Sequence, residues 1–244
     1  MNRFYYDLHI HSCLSPCADN DMTPWNIAGM AALAGINIAA LTDHNSCDNC
    51  PAFFEAAREY GLVPIAGMEL TTAEDIHIVC LFKTPEAVAK FDRVIDPLRV
   101  KIDNRPEIFG DQIIVGADDE PKGIKRHLLI NAVNIAIDDV DFYVESCGGI
   151  CYPAHVDRQS NGIIAVLGTF PDGKYVCAEY HDASSTGPYG EKYPALLGCK
   201  PIVSSDSHRL CDIRDAENYL ELDADKNDPN AVKDALFKYL RGGL

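Results

Sequence analysis

Seven short apolar or β-rich runs recur along the chain, at 4–11, 36–42, 62–68, 76–82, 149–155, 175–181 and 200–206. Between several of them the apolar residues change to helical spacing. Thr23-Pro24 reads as an N-cap followed by proline at the first helical position and predicts a helix toward Leu33 that stops at Gly35; Pro51 to Tyr60, closed by Gly61, repeats the pattern. Strand and helix alternating at this spacing imply right-handed βαβ units, a parallel sheet and an α/β fold, with the sheet free to close into a barrel. A further helical pattern spans Arg126 to Ala136, and a last helix is predicted from about Pro229 to Leu240. Residues 97–125 break the alternation, with mixed charge, two prolines beyond Pro97 and no sustained period, and read as an excursion from the barrel. No repeat or linker divides residues 1–244, so one domain is expected.

The ends of five runs carry a second pattern: D-L-H-I-H at 7–11, T-D-H-N at 42–45, G-M-E-L at 67–70, P-A-H at 153–155 and S-D-S-H at 205–208. On the first strand, alternation puts Asp7, His9 and His11 on one face and Leu8 and Ile10 on the other, so two imidazoles point into one space. Barrel chemistry sits where strands end, and His11, His44, Glu69, His155 and His208 follow that rule. His77 lies instead at the start of its run, inside IHIVCLF, in the setting of a core histidine. Six of the eight histidines fall at these runs, with acidic residues at several of the same ends, which scatter does not produce. Neutral imidazole and carboxylate together suit Zn, Mn or Fe, and a carboxylate bridges two ions where an imidazole cannot, so Glu69 and Asp206 are the natural bridges. Two or three such divalent ions bind phosphate oxygens and lower the pKa of a bridging water toward hydroxide near neutrality. Phosphoester hydrolysis is the chemistry such a site performs well. Arg158, close after His155, and Arg209, next to His208, are candidates to hold phosphate in a guanidinium fork. His181, which ends YVCAEYH, is either a proton donor or a plain loop histidine, and His127 receives no role.

Composition narrows the partners. A chain 47% hydrophobic and 24% charged has ample material for a core. Its formal net charge of −16 repels polyanions unless ions or local arginines reverse the field, so a small phosphorylated substrate or inorganic phosphate is expected and long nucleic acid is disfavoured. MNRFYYDLHIH carries no apolar signal region and no run approaches the ~18 residues of a membrane span, which predicts a cytoplasmic protein without a membrane partner. The ten cysteines read as reduced thiols. Cys13, Cys17, Cys47 and Cys50 all fall near the expected barrel mouth, but a single C-x-x-C is weak support for a zinc or iron–sulfur site, and Cys47 and Cys50 stand as a candidate redox pair. Oligomeric state is not legible.

Taken in order, these motifs, with Thr-Pro opening a helix at 23–24 and a histidine at 77, resemble the PHP (polymerase and histidinol phosphatase) superfamily over roughly residues 4–85 and 145–210. The resemblance implies a distorted seven-stranded (β/α) TIM-like barrel with a trinuclear metal centre that hydrolyses phosphoesters. It implies His9, His11, Glu69 and Asp206 on one ion, Glu69 bridging to a second that His77 and His155 complete, and a third on His44, His208 and a residue of the loop after the first strand. Asp43 is then a supporting group that orients a ligand imidazole. That loop departs from the family pattern, S-D-G shortly before Thr-Pro, and reads S-P-C-A-D-N-D-M-T-P at 15–24. Counting back from Thr23 selects Asp19, which is the expected ligand; counting forward from His11 lands on Pro16 or Cys17. Asp206, His208, Arg158 and Arg209 form the expected catalytic set.

The reading is a metal-dependent phosphoesterase acting on a small phosphorylated metabolite or nucleotide through a metal-bridging hydroxide. One alternative is a 3′-5′ exonuclease or a phosphodiesterase of dinucleotides and short oligoribonucleotides; the chain length disfavours a polymerase. An amidohydrolase is disfavoured because its metal-bridging lysine has no counterpart. A non-catalytic metal-binding or redox-sensing PHP module is disfavoured because nearly the full ligand set is kept.

Overall fold

The computed structural model describes residues 1–243. In chain order the elements are β1 (Asn2–Ile10), α1 (Pro24–Leu33), β2 (Ile38–Leu41), α2 (Cys50–Glu59), β3 (Val63–Thr71), β4 (His77–Phe82), α3 (Pro85–Ile95), α4 (Pro106–Phe109), β5 (Ile113–Val115), β6 (Pro121–Ile124), α5 (Val140–Ser146), β7 (Ile150–Pro153), α6 (Ile163–Leu167), β8 (Cys177–Tyr180), α7 (Thr186–Lys192), β9 (Lys200–Val203), β10 (Tyr219–Leu222) and α8 (Pro229–Leu240). All seven predicted runs contain a strand. Thr23 caps α1 by accepting from the Asn26 amide, and the chain leaves α1 and α2 through Gly35 and Gly61 at φ 81° and 71°, a left-handed turn open to glycine.

β1, β2 and β3 run parallel, with α1 and α2 as crossovers. Only residues 72–76 join β3 to β4, too few for a crossover helix, so β4 returns antiparallel and sets His77 opposite Thr71. β7 is antiparallel to β4 in turn and therefore points the same way as β3. The result is a curled six-stranded sheet ordered β10-β1-β2-β3-β4-β7, with β8 and β9 as a separate parallel pair. The ladders thus show a curled half-barrel with mixed pairing, in which β1–β3 and β8–β9 are parallel as expected, and do not by themselves complete the expected distorted seven-stranded barrel. A few hydrogen bonds tie the pair in near the strand ends: Val156 N donates to Glu179 O at 2.8 Å, and Asp206 N to His9 O at 2.9 Å with His11 N to Ser207 O at 3.0 Å, a parallel bridge.

One core lies between the sheet and α1–α3, including Ile27, Phe53, Met68 and Phe91. The other buries Val232, Leu236 and Phe237 of α8 against Leu8, Ile38, Ile65 and Leu81; each such side chain is worth roughly 1.5–3 kcal/mol. Leu8 and Ile10, expected on one face, enter different cores because the β1–β2 register shifts between Asp7 and Ile10.

Residues 126–136 form no helix, so His127 does not begin one. Their backbone groups are satisfied at long range instead: Leu128 N donates to Ile102 O, Val133 N to Thr71 O and Asn134 N to Leu98 O, each at 2.8 Å. The 97–125 excursion, with the β5–β6 hairpin, packs on the strand-end loops, where Ile113 N donates to Cys13 O at 2.8 Å. Asn49 donates to Ile113 O and accepts from Val115 N, both at 3.0 Å. No helix among the described residues is long and apolar enough to cross a membrane.

Candidate metal centre

Glu69 is the hub. Its Oε1 lies 2.8 Å from His77 Nδ1, 3.1 Å from His155 Nε2 and 3.4 Å from His9 Nε2; its Oε2 lies 2.9 Å from His44 Nδ1 and 3.3 Å from His11 Nε2. Asp206 Oδ1 is 3.4 Å from His9 Nε2 and 3.1 Å from His11 Nε2. Three sets of donor atoms, each mutually within 4.8 Å, result: His9, His11, Glu69 and Asp206; His44, Glu69 and His77; and His11, His44 and His208. His155 reaches the same Glu69 oxygen as His77. His44, Glu69, His77, His155, Asp206 and His208 line a polar cavity of about 110 Å³ together with Arg158, Ser160 and Asn161, while His9 and His11 lie buried behind it. A larger groove of about 550 Å³ between α2, α3 and α8 holds none of the three donor sets.

The donor atoms fit divalent ions. Among the described residues, His44 Nδ1, His77 Nδ1, Glu69 Oε2 and Asp206 Oδ1 are buried without a hydrogen-bond partner although they stand close together, an arrangement that is costly unless a cation fills it. Neighbouring acceptors set the tautomers. His9 Nδ1 donates to Glu179 Oε1 at 2.8 Å and His208 Nδ1 to the Asp206 carbonyl at 2.9 Å, while His11 Nδ1 pairs with Ser15 Oγ at 3.0 Å. Each bond leaves an Nε2 lone pair for a metal. Asp43 acts through Ser15, whose hydroxyl donates to Asp43 Oδ1 at 2.7 Å, so it supports the His11 imidazole indirectly.

Electrostatics follow the same geometry. Burial alone would raise the Glu69 carboxyl, but His77, His9 and His44 around it hold it well below the usual range. Burial would lower His9, yet Glu179, Asp206 and Glu69 outweigh it and raise the imidazole well above its ordinary value. His208 is pushed down to about 3 by burial and by His11, which keeps it a neutral donor rather than an acid. Two of these residues hold left-handed backbone, His155 at φ 27° and Asp206 at φ 53°. Such strain costs on the order of 1–3 kcal/mol per residue and persists where the surroundings over-determine it.

The structure leaves some expected residues outside. Asp19 is in none of the donor sets; its side chain is 55% exposed and lies 3.7 Å from Arg209 Nε. The insertion before Thr23 carries it past the imidazoles, and it is the Cys17 thiol that is placed against the His44 ring. Arg209 points outward, 67% exposed, and does not line the cavity. Arg158 does line it and binds Asp206 Oδ2. Cys47 and Cys50 are buried in the helix-side core, and burial pushes both thiols up, away from the reactive thiolate that a redox pair needs. Glu179 and Arg214 were not anticipated. Glu179 is an interior residue of β8 with no local motif, and Arg214 reaches His181 from beyond β9.

Comparisons with known proteins identify the family and the fold. The PHP domain family model matches residues 7–131, and the chain belongs to that family. It is 35% identical over 91 residues to an error-prone DNA polymerase of Symbiobacterium thermophilum, covering 37% of this chain and 8% of that protein. It is 37% identical over 79 residues to a 5′-3′ exoribonuclease of Haemophilus influenzae, covering 31% of this chain and 28% of that one. The chain thus spans under a third of the length of these curated relatives. In fold it is similar to a lesion-specific endonuclease Q from Pyrococcus furiosus, with TM-score 0.66 and 17% identity, over 99% of this chain and 56% of that one. It is also similar to a protein assigned as a metal-dependent phosphoesterase from Bifidobacterium adolescentis, with TM-score 0.58 and 16% identity, over 98% and 96% of the two chains. Endonuclease Q has been captured with a 27-mer duplex substrate. The expectation that long nucleic acid is disfavoured is therefore not supported by the comparisons.

Proposed function

We propose that this chain is a metal-dependent phosphoesterase acting on a small phosphorylated molecule. The observation that carries the reading is the sharing of two Glu69 oxygens among five buried or half-buried imidazoles, with Arg158 at the cavity edge. Divalent ions held there supply Lewis acidity toward phosphoryl oxygens and lower the pKa of water. The chain's own groups do the rest. Glu69 and Asp206 provide anionic donors, the neutral His208 stays a donor, and Arg158 would hold phosphoryl oxygens with the N–H groups that Asp206 and His181 leave free. The cavity is open on one side, so a phosphoryl group enters while the rest of the substrate stays outside it.

The test is metal analysis of the purified protein with p-nitrophenyl phosphate turnover before and after chelation and metal restoration. Chelator-sensitive turnover that vanishes in His9→Ala supports the reading. Full metal content without turnover on any phosphoester points to a binding module and ends it.

A second reading, hydrolysis of a nucleic-acid phosphodiester, is favoured by the names of the relatives, a polymerase, an exoribonuclease and an endonuclease. Turnover of bis(p-nitrophenyl) phosphate and of end-labelled oligonucleotides, exceeding that of the monoester, selects it.

A further inference from the structure

We infer that Arg214 and His181 are positioning residues that hold the Arg158 guanidinium at the cavity mouth and add a second positive charge there, selecting a doubly charged terminal phosphate over a phosphodiester. The inference rests on the phosphoesterase reading and names its substrate class.

Four contacts carry it. Arg214 Nη1 donates to the His181 carbonyl at 2.6 Å, and its Nη2 lies 3.2 Å from His181 Nε2 and 3.3 Å from Nδ1. Arg158 Nη2 lies 3.3 Å from the same Nδ1. Two guanidiniums therefore lie against one imidazole, Arg158 at Nδ1 and Arg214 between the two ring nitrogens. The loop that presents the ring is pinned from below, because Asp157 accepts from the His181 and Asp182 amides at 2.8 and 2.9 Å.

Two cations tolerate one imidazole only if it is neutral, and burial, Arg158 and Arg214 all lower the His181 pKa. A neutral ring accepts from guanidinium and does not act as the imidazolium acid that its strand-end position suggested. Arg158 is compensated by Asp206, whereas among the described residues Arg214 forms no salt bridge. In a chain of net charge −16, an arginine behind a cavity-lining one adds positive charge near the mouth that the nearby Asp182 offsets only in part. Its field acts on a dianion twice as strongly as on a monoanion.

The experiment uses metal-reconstituted protein with p-nitrophenyl phosphate, bis(p-nitrophenyl) phosphate and, for calorimetric binding, inorganic phosphate. Arg214→Gln is expected to raise the monoester KM and the phosphate Kd by about tenfold, the size of a lost charged hydrogen bond. The diester KM and kcat should change by less than about threefold by the same reasoning, with metal content unaltered. Arg214→Lys keeps the charge but not the fork, and should fall between. Arg126→Gln, at an exposed arginine paired with Asp103, is the control. An unchanged monoester KM and phosphate Kd in Arg214→Gln overturns the inference alone. So does a joint loss of kcat, metal and melting temperature, which marks a merely structural role. If the wild type hydrolyses neither ester and binds no phosphate, the phosphoesterase reading falls and takes the inference with it.

Discussion

His77 Nδ1 stands 2.8 Å from Glu69 Oε1 although the two residues sit on strands that run in opposite directions. The start of β4 and the end of β3 share one edge of the sheet, so a strand-initial histidine meets a strand-end carboxylate. His77 is therefore tied to the donor cluster by topology and not to the core. His77→Ala should lower metal content by up to one ion and kcat by at least the roughly 10–100-fold that loss of a supporting residue costs. Elemental analysis alongside turnover checks this; unchanged metal and rate would make His77 a bystander.

Metal loading should release protons. In the metal-free cluster Asp206 and Glu69, against the effect of burial, hold His11 up to about 9. Glu69 does the same for His44, against both burial and His11, and His9 is raised as well. A raised folded-state pKa contributes stability that is fully present below the unfolded value of about 6.5 and is lost as pH climbs through about 9. Ligation needs the neutral imidazole, so apparent metal affinity should rise with pH across that window and level off above it. Calorimetric titration in buffers of different ionisation enthalpy should count more protons released at pH 7 than at pH 9.5. Equal counts would contradict the assignment.

Glu179 holds His9 from behind, accepting from its Nδ1 at 2.8 Å and from the His155 amide at 3.2 Å. Glu179→Gln keeps an acceptor but removes the charge that makes His9 a better donor. Metal affinity should fall about 10–100-fold with the fold intact, as read by competition with a chromogenic chelator and by circular dichroism. Undiminished affinity would mean that the carboxylate only fills space.

How much of this was legible in the sequence depends on the range of each signal. His9 and His11 were readable because two imidazoles on one strand need no distant partner to converge, and His44, His155 and His208 because they follow apolar runs. Glu179 was not, since its meaning is His9, 170 residues away, and nothing next to it in the chain marks it. The same holds for Arg214. At 126–136 the apolar spacing imitated a helical stripe, but Leu128, Val133 and Ile135 are buried one by one, the Leu128 and Val133 amides bonding to Ile102 and Thr71 far along the chain and the Ile135 amide to Val133 in a tight local turn. Asp19 failed for a third reason: inserted residues let the loop carry it to solvent, a path that counting from Thr23 cannot trace. The strand positions were readable but the direction of β4 was not, because the apolar run ends at 68 and conceals that β3 continues to Thr71, leaving only 72–76 to turn the chain.

Asn45 fastens the segment beyond the excursion to the site. At φ 45° its Nδ2 donates to Leu129 O at 2.7 Å and Asn131 O at 2.9 Å, and its Oδ1 accepts from Thr71 N at 2.9 Å. Asn45→Ala strands those groups in a buried place and should cost on the order of 3 kcal/mol, seen as a lower urea midpoint. Asn45→Gly, which tolerates the backbone, should lose nearly as much. If glycine restores wild-type stability, backbone strain rather than hydrogen bonding is the cause.

Arg158 and Arg209 look alike in the sequence, each close behind a candidate ligand histidine, and the structure separates them. Arg158 lines the cavity and binds Asp206, whereas Arg209 is 67% exposed and lies 3.7 Å from an exposed Asp19. Exposed pairs of that kind are worth about 0–1 kcal/mol, so Arg209→Ala should leave KM within about twofold and stability nearly unchanged. Arg158→Ala removes a charged partner of both Asp206 and substrate, and should raise KM by about tenfold or more while also lowering kcat. Steady-state kinetics of the two variants on one phosphomonoester decide the matter. Equal effects at both positions would mean that the loop carrying Arg209 folds over the cavity when substrate binds.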